Sequence, residues 1–132
     1  MMAEPKRTIM EFKRQSAGGL SVDGYGDGGF RIDGRWYDGS VLILPDAVHP
    51  WAARSPEEIS IDSLRPILDC DPGVEILLFG LGRGFALPPA GVRESLADAG
   101  ISADPMDTGA AARTYNVLLL ESRRVAAALL PF

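Results

Sequence analysis

A chain of 132 residues, 46% hydrophobic and 23% charged, is long enough for one domain that buries roughly two-thirds of the surface its unfolded form exposes. Its formal net charge of −5 argues against nucleic acid or an anionic membrane as partner, since both repel an acidic protein. Cys70 is the only cysteine, which excludes an internal disulfide, and no apolar run reaches the length of a bilayer crossing.

The N-terminus lacks the apolar stretch of a secretory signal, so the expected location is cytoplasmic, without membrane insertion. Residues 1–16, where Lys6, Arg7, Lys13 and Arg14 alternate with Glu4 and Glu11, read as a solvated, frayed segment ahead of a single domain over 17–132. Residues 17–44 have the composition of β-structure broken by glycine turns, with Asp33-Gly34 and Asp38-Gly39 as hairpin dipeptides. Val41 to Leu44 is a continuous apolar run ended by Pro45, the pattern of a strand covered on both faces. The prolines at 45, 50 and 56 forbid a long regular element in the connection that follows.

Ser60 or Asp62 caps a short helix with Ile61, Leu64, Ile67 and Leu68 on its apolar face. Asp71-Pro72-Gly73 makes a turn into the strongest strand signal of the chain, Val74 to Phe79. Pro88-Pro89 opens a helix to Ala99 that Gly100 terminates. A short strand over 101–106, a helix from Asp107 to about Ser122 and a last strand over 124–130 complete the chain. Strand–helix alternation after a hairpin-rich start predicts an α/β (α+β) fold, with helices and N-terminal β-hairpins packed on a mixed, mostly parallel central sheet.

Residues 74–84, VEILLFGLGRG, run a buried strand into Gly80, Gly82 and Gly84 and raise the question of a dinucleotide site. The spacing is G-x-G-x-G rather than G-x-G-x-x-G, and the next helix starts only at Pro89, too late for its N-terminus to meet a pyrophosphate. Arg83 stands in the loop, without the lysine of a P-loop, so no cofactor is assigned. If the strands over 74–79 and 101–106 are parallel neighbours, the loop and the helix start at Asp107-Thr108-Gly109 flank one crevice outside their carboxyl ends. Gly80, Gly82, Arg83, Asp107, Thr108 and Asn116 are therefore the candidate ligand-binding residues, with helix amides and Arg83 suited to a small anion or nucleotide. The alternative is that Asp107 or Thr108 simply caps its helix.

Catalytic groups are scarce. His49 is the only histidine, no serine or carboxylate is arranged with it and Cys70 as a triad, and no cluster has metal-ligand spacing. Cys70 reads as a packing residue and Tyr115 as a core aromatic, whereas Asn116, a poor helix former, needs a hydrogen-bond partner to justify its place.

The segments GYGDGGFRIDGRWYDGSVLILP at 24–45, GLG at 80–82 and MDTGAAARTYNVLLLESRRVAAALLP at 106–131 resemble the Mth938-like family of small domains of unknown function. The match is most specific at Asp107, Thr108, Ala111, Tyr115, Asn116 and Leu118. The resemblance implies a three-layer fold, and the family includes a mitochondrial assembly factor for respiratory complex I and a cytosolic protein linked to adipogenesis. It supplies no agreed catalytic residues. The expectation is a non-enzymatic assembly module that binds a protein partner through Trp36, Tyr37, His49 and Trp51. Its competitor is a small-molecule binder using the glycine crevice.

Overall fold

The computed structural model describes residues 8–12, 19–84 and 86–131. The expectation for residues 1–16 lies largely outside them; its described part contributes β1 (Met10–Glu11), which pairs antiparallel with β2 (Val22–Gly26). β3 (Gly29–Ile32) and β4 (Arg35–Asp38) extend this into a four-stranded antiparallel meander. Its two tight turns are Asp27-Gly28 and Asp33-Gly34, where all four residues have φ between 48° and 79°. Positive φ at both central positions matches the right-handed twist of the flanking strands, and aspartate followed by glycine tolerates it best. Asp38-Gly39 is a correction to the sequence reading. Its strand does not fold back, because the Gly39 amide closes the last rung on Gly28 O at 2.8 Å and the chain then crosses to a second sheet.

That second sheet contains β5 (Val41–Ile43), β6 (Val48–Pro50), β7 (Ile76–Leu81), β8 (Ser102–Met106) and β9 (Val125–Leu130), in the order β6-β5-β9-β7-β8. β7, β8 and β9 run parallel, while β5 is antiparallel to both β6 and β9. β8 tolerates Pro105 because it is an edge strand. The Ser102 amide donates inward to Glu75 O, so alternate residues face inward and Pro105 occupies an outward position that costs no ladder bond.

Both faces of this sheet are covered, which explains the unbroken apolar runs of β5 and β9. On one face Leu42, Leu77, Phe79, Ala126 and Ala128 pack with Trp51, Leu64, Ile67, Val92 and Leu96. These come from the 51–64 connection, α1 (Arg65–Leu68) and α2 (Ala90–Asp98). On the other face Val41, Ile43, Leu78, Ala127 and Leu129 meet Phe30 and Ile32 of the meander and Ala111 and Tyr115 of α3 (Thr108–Leu120). Phe30, Phe79 and Tyr115 are all 0% exposed, each burial worth about 1.5–3 kcal/mol. The result is three layers: α1 and α2, the mixed sheet, and α3 with the meander.

The helix ends follow their residues. The Gly100 amide donates to Ala97 O and the Ile101 amide to Leu96 O, with φ of 80° at Gly100, so α2 ends in the paired 5→2 and 6→1 bonds that a left-handed glycine permits. α3 starts at Asp107, whose carboxylate accepts from the Ala110 amide at 2.8 Å.

Candidate functional site

Parallel pairing of β7 with β8 does bring the glycine loop and the start of α3 to one edge of the sheet. What lies between them is a set of internal hydrogen bonds. The Gly82 amide donates to Thr108 Oγ1 at 2.9 Å, the Thr108 amide donates to Gly82 O at 2.9 Å, and the Thr108 hydroxyl donates to Leu130 O at 2.6 Å. Thr108 is 0% exposed and thus ties the ends of β7 and β9 to the first turn of α3.

The glycines have different physical origins. A Cβ at Gly80 would lie 2.7 Å from Leu129 Cδ2, 3.0 Å from Thr108 Cα and 3.2 Å from Ala111 Cβ, so this glycine lets α3 sit directly on the sheet. Gly82 and Gly84 have open space at the Cβ position but φ of 89° and 84°, so they serve the turn. Arg83 between them is exposed.

Asp107 caps its own helix, and Asn116 is not drawn to the loop. Its amide accepts from the Val22 N–H and donates to Val22 O, both at 2.8 Å, completing the backbone pairing of β2 as a neighbouring strand would. The Tyr115 hydroxyl donates to Leu20 O at 3.0 Å, so consecutive residues of α3 hold the start of the meander. Burial alone pushes the Tyr115 phenol well above its ordinary value.

Of the four aromatic candidates, His49 is exposed and Trp36 and Tyr37 are half-buried, while Trp51 is buried with its indole N–H on Ser63 Oγ at 3.0 Å. Trp36 lies across Gly29 and donates to Asp38 Oδ1 at 2.7 Å. Cys70 packs against the core; burial first, then the charges of Asp46 and Asp71, push its thiol up and leave little reactive thiolate. Among the described residues no three histidine, cysteine or acidic side chains group to hold a metal, and no helix is long and apolar enough to cross a membrane.

Open space at this end of the sheet lies one strand over, beside the end of β9. A cleft of about 510 Å³ is lined by Asp38, Ser40, Pro50, Trp51, Arg54 and Pro131. Sequence reading did not single out Ser40 or Arg54, which line it.

Residues 22–130 match the family described as protein of unknown function (DUF498/DUF598). The chain belongs to that family. It is 32% identical over 126 residues to NADH dehydrogenase (ubiquinone) 1 alpha subcomplex assembly factor 3 of Danio rerio, spanning 96% of this chain and 72% of that protein. The crystal structure of an outer membrane protein from Bartonella henselae is 36% identical and superposes with a TM-score of 0.79, covering 87% of this chain and 97% of the other. A Mth938-like domain from Bordetella pertussis, 28% identical, superposes with a TM-score of 0.74 over 92% of this chain and 91% of its own. The three-layer architecture of this DUF498/DUF598 member is therefore Mth938-like.

Proposed function

We propose that the protein is a non-enzymatic module that binds a protein partner during the assembly of a larger complex. The observation that carries this reading is the 32% identity, over nearly the whole chain, to a named assembly factor. Its partner surface in this reading runs along β4 and β6, where half-buried Trp36 and Tyr37 and exposed His49 offer aromatic area beside polar groups, while Trp51, 5% exposed, adds almost none. The second reading, a small anion at Gly80, Gly82, Arg83, Asp107, Thr108 and Asn116, draws no support from the geometry. The Gly82 and Thr108 amides, the Thr108 hydroxyl and the Asn116 amide are occupied by the fold.

Native mass spectrometry of the tagged protein, recovered separately from soluble and membrane fractions of its own cells, tests the proposal. The expected result is a stoichiometric polypeptide retained in the soluble fraction. It should be lost from the Trp36→Ala, His49→Glu double variant while the far-UV circular dichroism is unchanged. Recovery of the bare chain from every fraction, or of a small molecule in place of a protein, would overturn it.

A further inference from the structure

Two Asp-Gly dipeptides of this chain, Asp27-Gly28 and Asp33-Gly34, make the same kind of tight turn, yet their central peptides are held differently. The Gly34 amide donates to Asp23 Oδ2 at 2.6 Å, which fixes the peptide between 33 and 34 in place. At the tip between β2 and β3, Asp27 and Gly28 are both exposed. Among the described residues neither Asp27 O nor the Gly28 amide makes a hydrogen bond. The remaining Asp-Gly amides are held as well. Gly24 is buried within β2 opposite Arg31, and the Gly39 amide donates to Gly28 O at 2.8 Å.

An aspartate before glycine closes a cyclic imide when the glycine nitrogen reaches the aspartate Cγ. The planar ring needs an aspartate ψ of about −120°, which is the value at the first central residue of a type II′ turn. Positive φ at both central residues gives Asp27-Gly28 the type I′ form, and φ of 51° at Asp27 already suits the II′ form. Turning over the one peptide between them is therefore enough to bring the nitrogen towards Cγ. At 27 that rotation breaks no hydrogen bond of the peptide, whereas at 33 it breaks a charge-assisted bond. A Cβ at Gly28 would meet no atom within 4 Å, so nothing crowds the approach.

We infer that Asp27-Gly28, at the tip of the β2–β3 hairpin, is a self-modification site at which aspartate isomerises through an imide. The Gly28 nitrogen bonds to Cγ of the protonated Asp27 side chain and the bond from Cγ to its hydroxyl breaks. Water leaves with that hydroxyl and the amide proton. Water then adds back to one of the two imide carbonyls. Addition at Cγ restores aspartate, and addition at the main-chain carbonyl leaves isoaspartate, with the backbone routed through Cβ and one methylene longer. The Gly28 carbonyl holds the Gly39 amide, so the longer turn pulls on the place where the chain leaves the meander for the second sheet.

The test uses the full chain carrying Asp27→Asn or Asp33→Asn, which react by the same ring closure with ammonia leaving in place of water. Peptide mapping reads the mass gained as the side-chain amide becomes a carboxyl. In the folded chain position 27 should convert about tenfold faster than position 33, the factor that one charge-assisted hydrogen bond supplies. In urea the two rates should converge, because both positions precede glycine. Adding Asp23→Ala to the Asp33→Asn chain should bring position 33 close to the rate at 27, with far-UV circular dichroism confirming the fold. In the native chain, fragmentation of aged peptides should locate isoaspartate at 27 ahead of 23, 33 and 38. Equal rates in the folded chain, a difference that persists in urea, or isoaspartate appearing first at another of these positions would overturn the inference.

Discussion

A Cβ added at Gly80 would have to displace the end of Leu129, which is flexible, and also the Thr108 backbone at 3.0 Å, which is not. Gly80→Ala should therefore lower stability by about 1–2 kcal/mol, overpacking outweighing the gain from a less flexible unfolded chain. Gly82→Ala should cost a similar amount, about 1–2 kcal/mol, for another reason: its φ of 89° penalises a side chain even in open space. Asparagine separates the two mechanisms in urea melts. It tolerates the left-handed region and should recover part of the loss at 82, while its larger side chain should deepen the loss at 80. Equal tolerance of asparagine at both positions would sink the distinction. A glycine required by packing and one required by a turn look alike in GLGRG. What separates them is Thr108, a residue 26 positions beyond Gly82, and only the parallel pairing of β7 and β8 brings it there.

α3 is attached at its first residue and again at Asn116 in its interior, and each attachment uses a residue that a free helix would not favour. Thr108 ties its start to β7 and β9, and Asn116 bonds both backbone groups of Val22. Asn116→Ala should cost about 2 kcal/mol, because it leaves a part-buried N–H and C=O without partners. It should also raise the hydrogen-exchange rate of the Val22 amide selectively. Asn116→Asp should do no better, since its second oxygen would face Val22 O where a donor is needed. A fully stable aspartate variant would contradict this account. The sequence marked Asn116 as a residue in need of a partner, but a partner 94 positions away is beyond any local pattern. Most element types were legible, because the 3.6-residue and alternating patterns are local, but β1 and β6, short strands in segments read as frayed and irregular, were not. The strand order was not. VAAALL shows that β9 is buried on both faces, yet its insertion between β5 and β7 depends on which edges remain open when the chain end arrives. Asp38-Gly39 misled for the same reason, since a turn dipeptide fixes a local angle and not the sheet in which the next strand pairs.

At the scale of the whole molecule, two apolar layers lie on opposite faces of the central sheet, and Tyr115 sits fully buried in the layer shared by α3 and the meander. Below the ordinary phenol value of 10.0 the hydroxyl is neutral in both folded and unfolded chains, so its contribution is fully present. As the pH rises past 10.0 the unfolded chain releases the proton while the folded chain, its value raised by burial, retains it. Stability is then lost progressively until the raised folded value is reached, and the meander loses its anchor on Leu20 with it. Tyr115→Phe gives up the hydrogen bond to Leu20 O, about 1 kcal/mol at neutral pH, but removes the titrating group. Thermal melts of both proteins should therefore show the native chain ahead at neutral pH, the gap closing above 10.0, and then the phenylalanine variant ahead. Alkaline loss curves that stay parallel would show that Tyr115 does not set the upper pH limit of the fold.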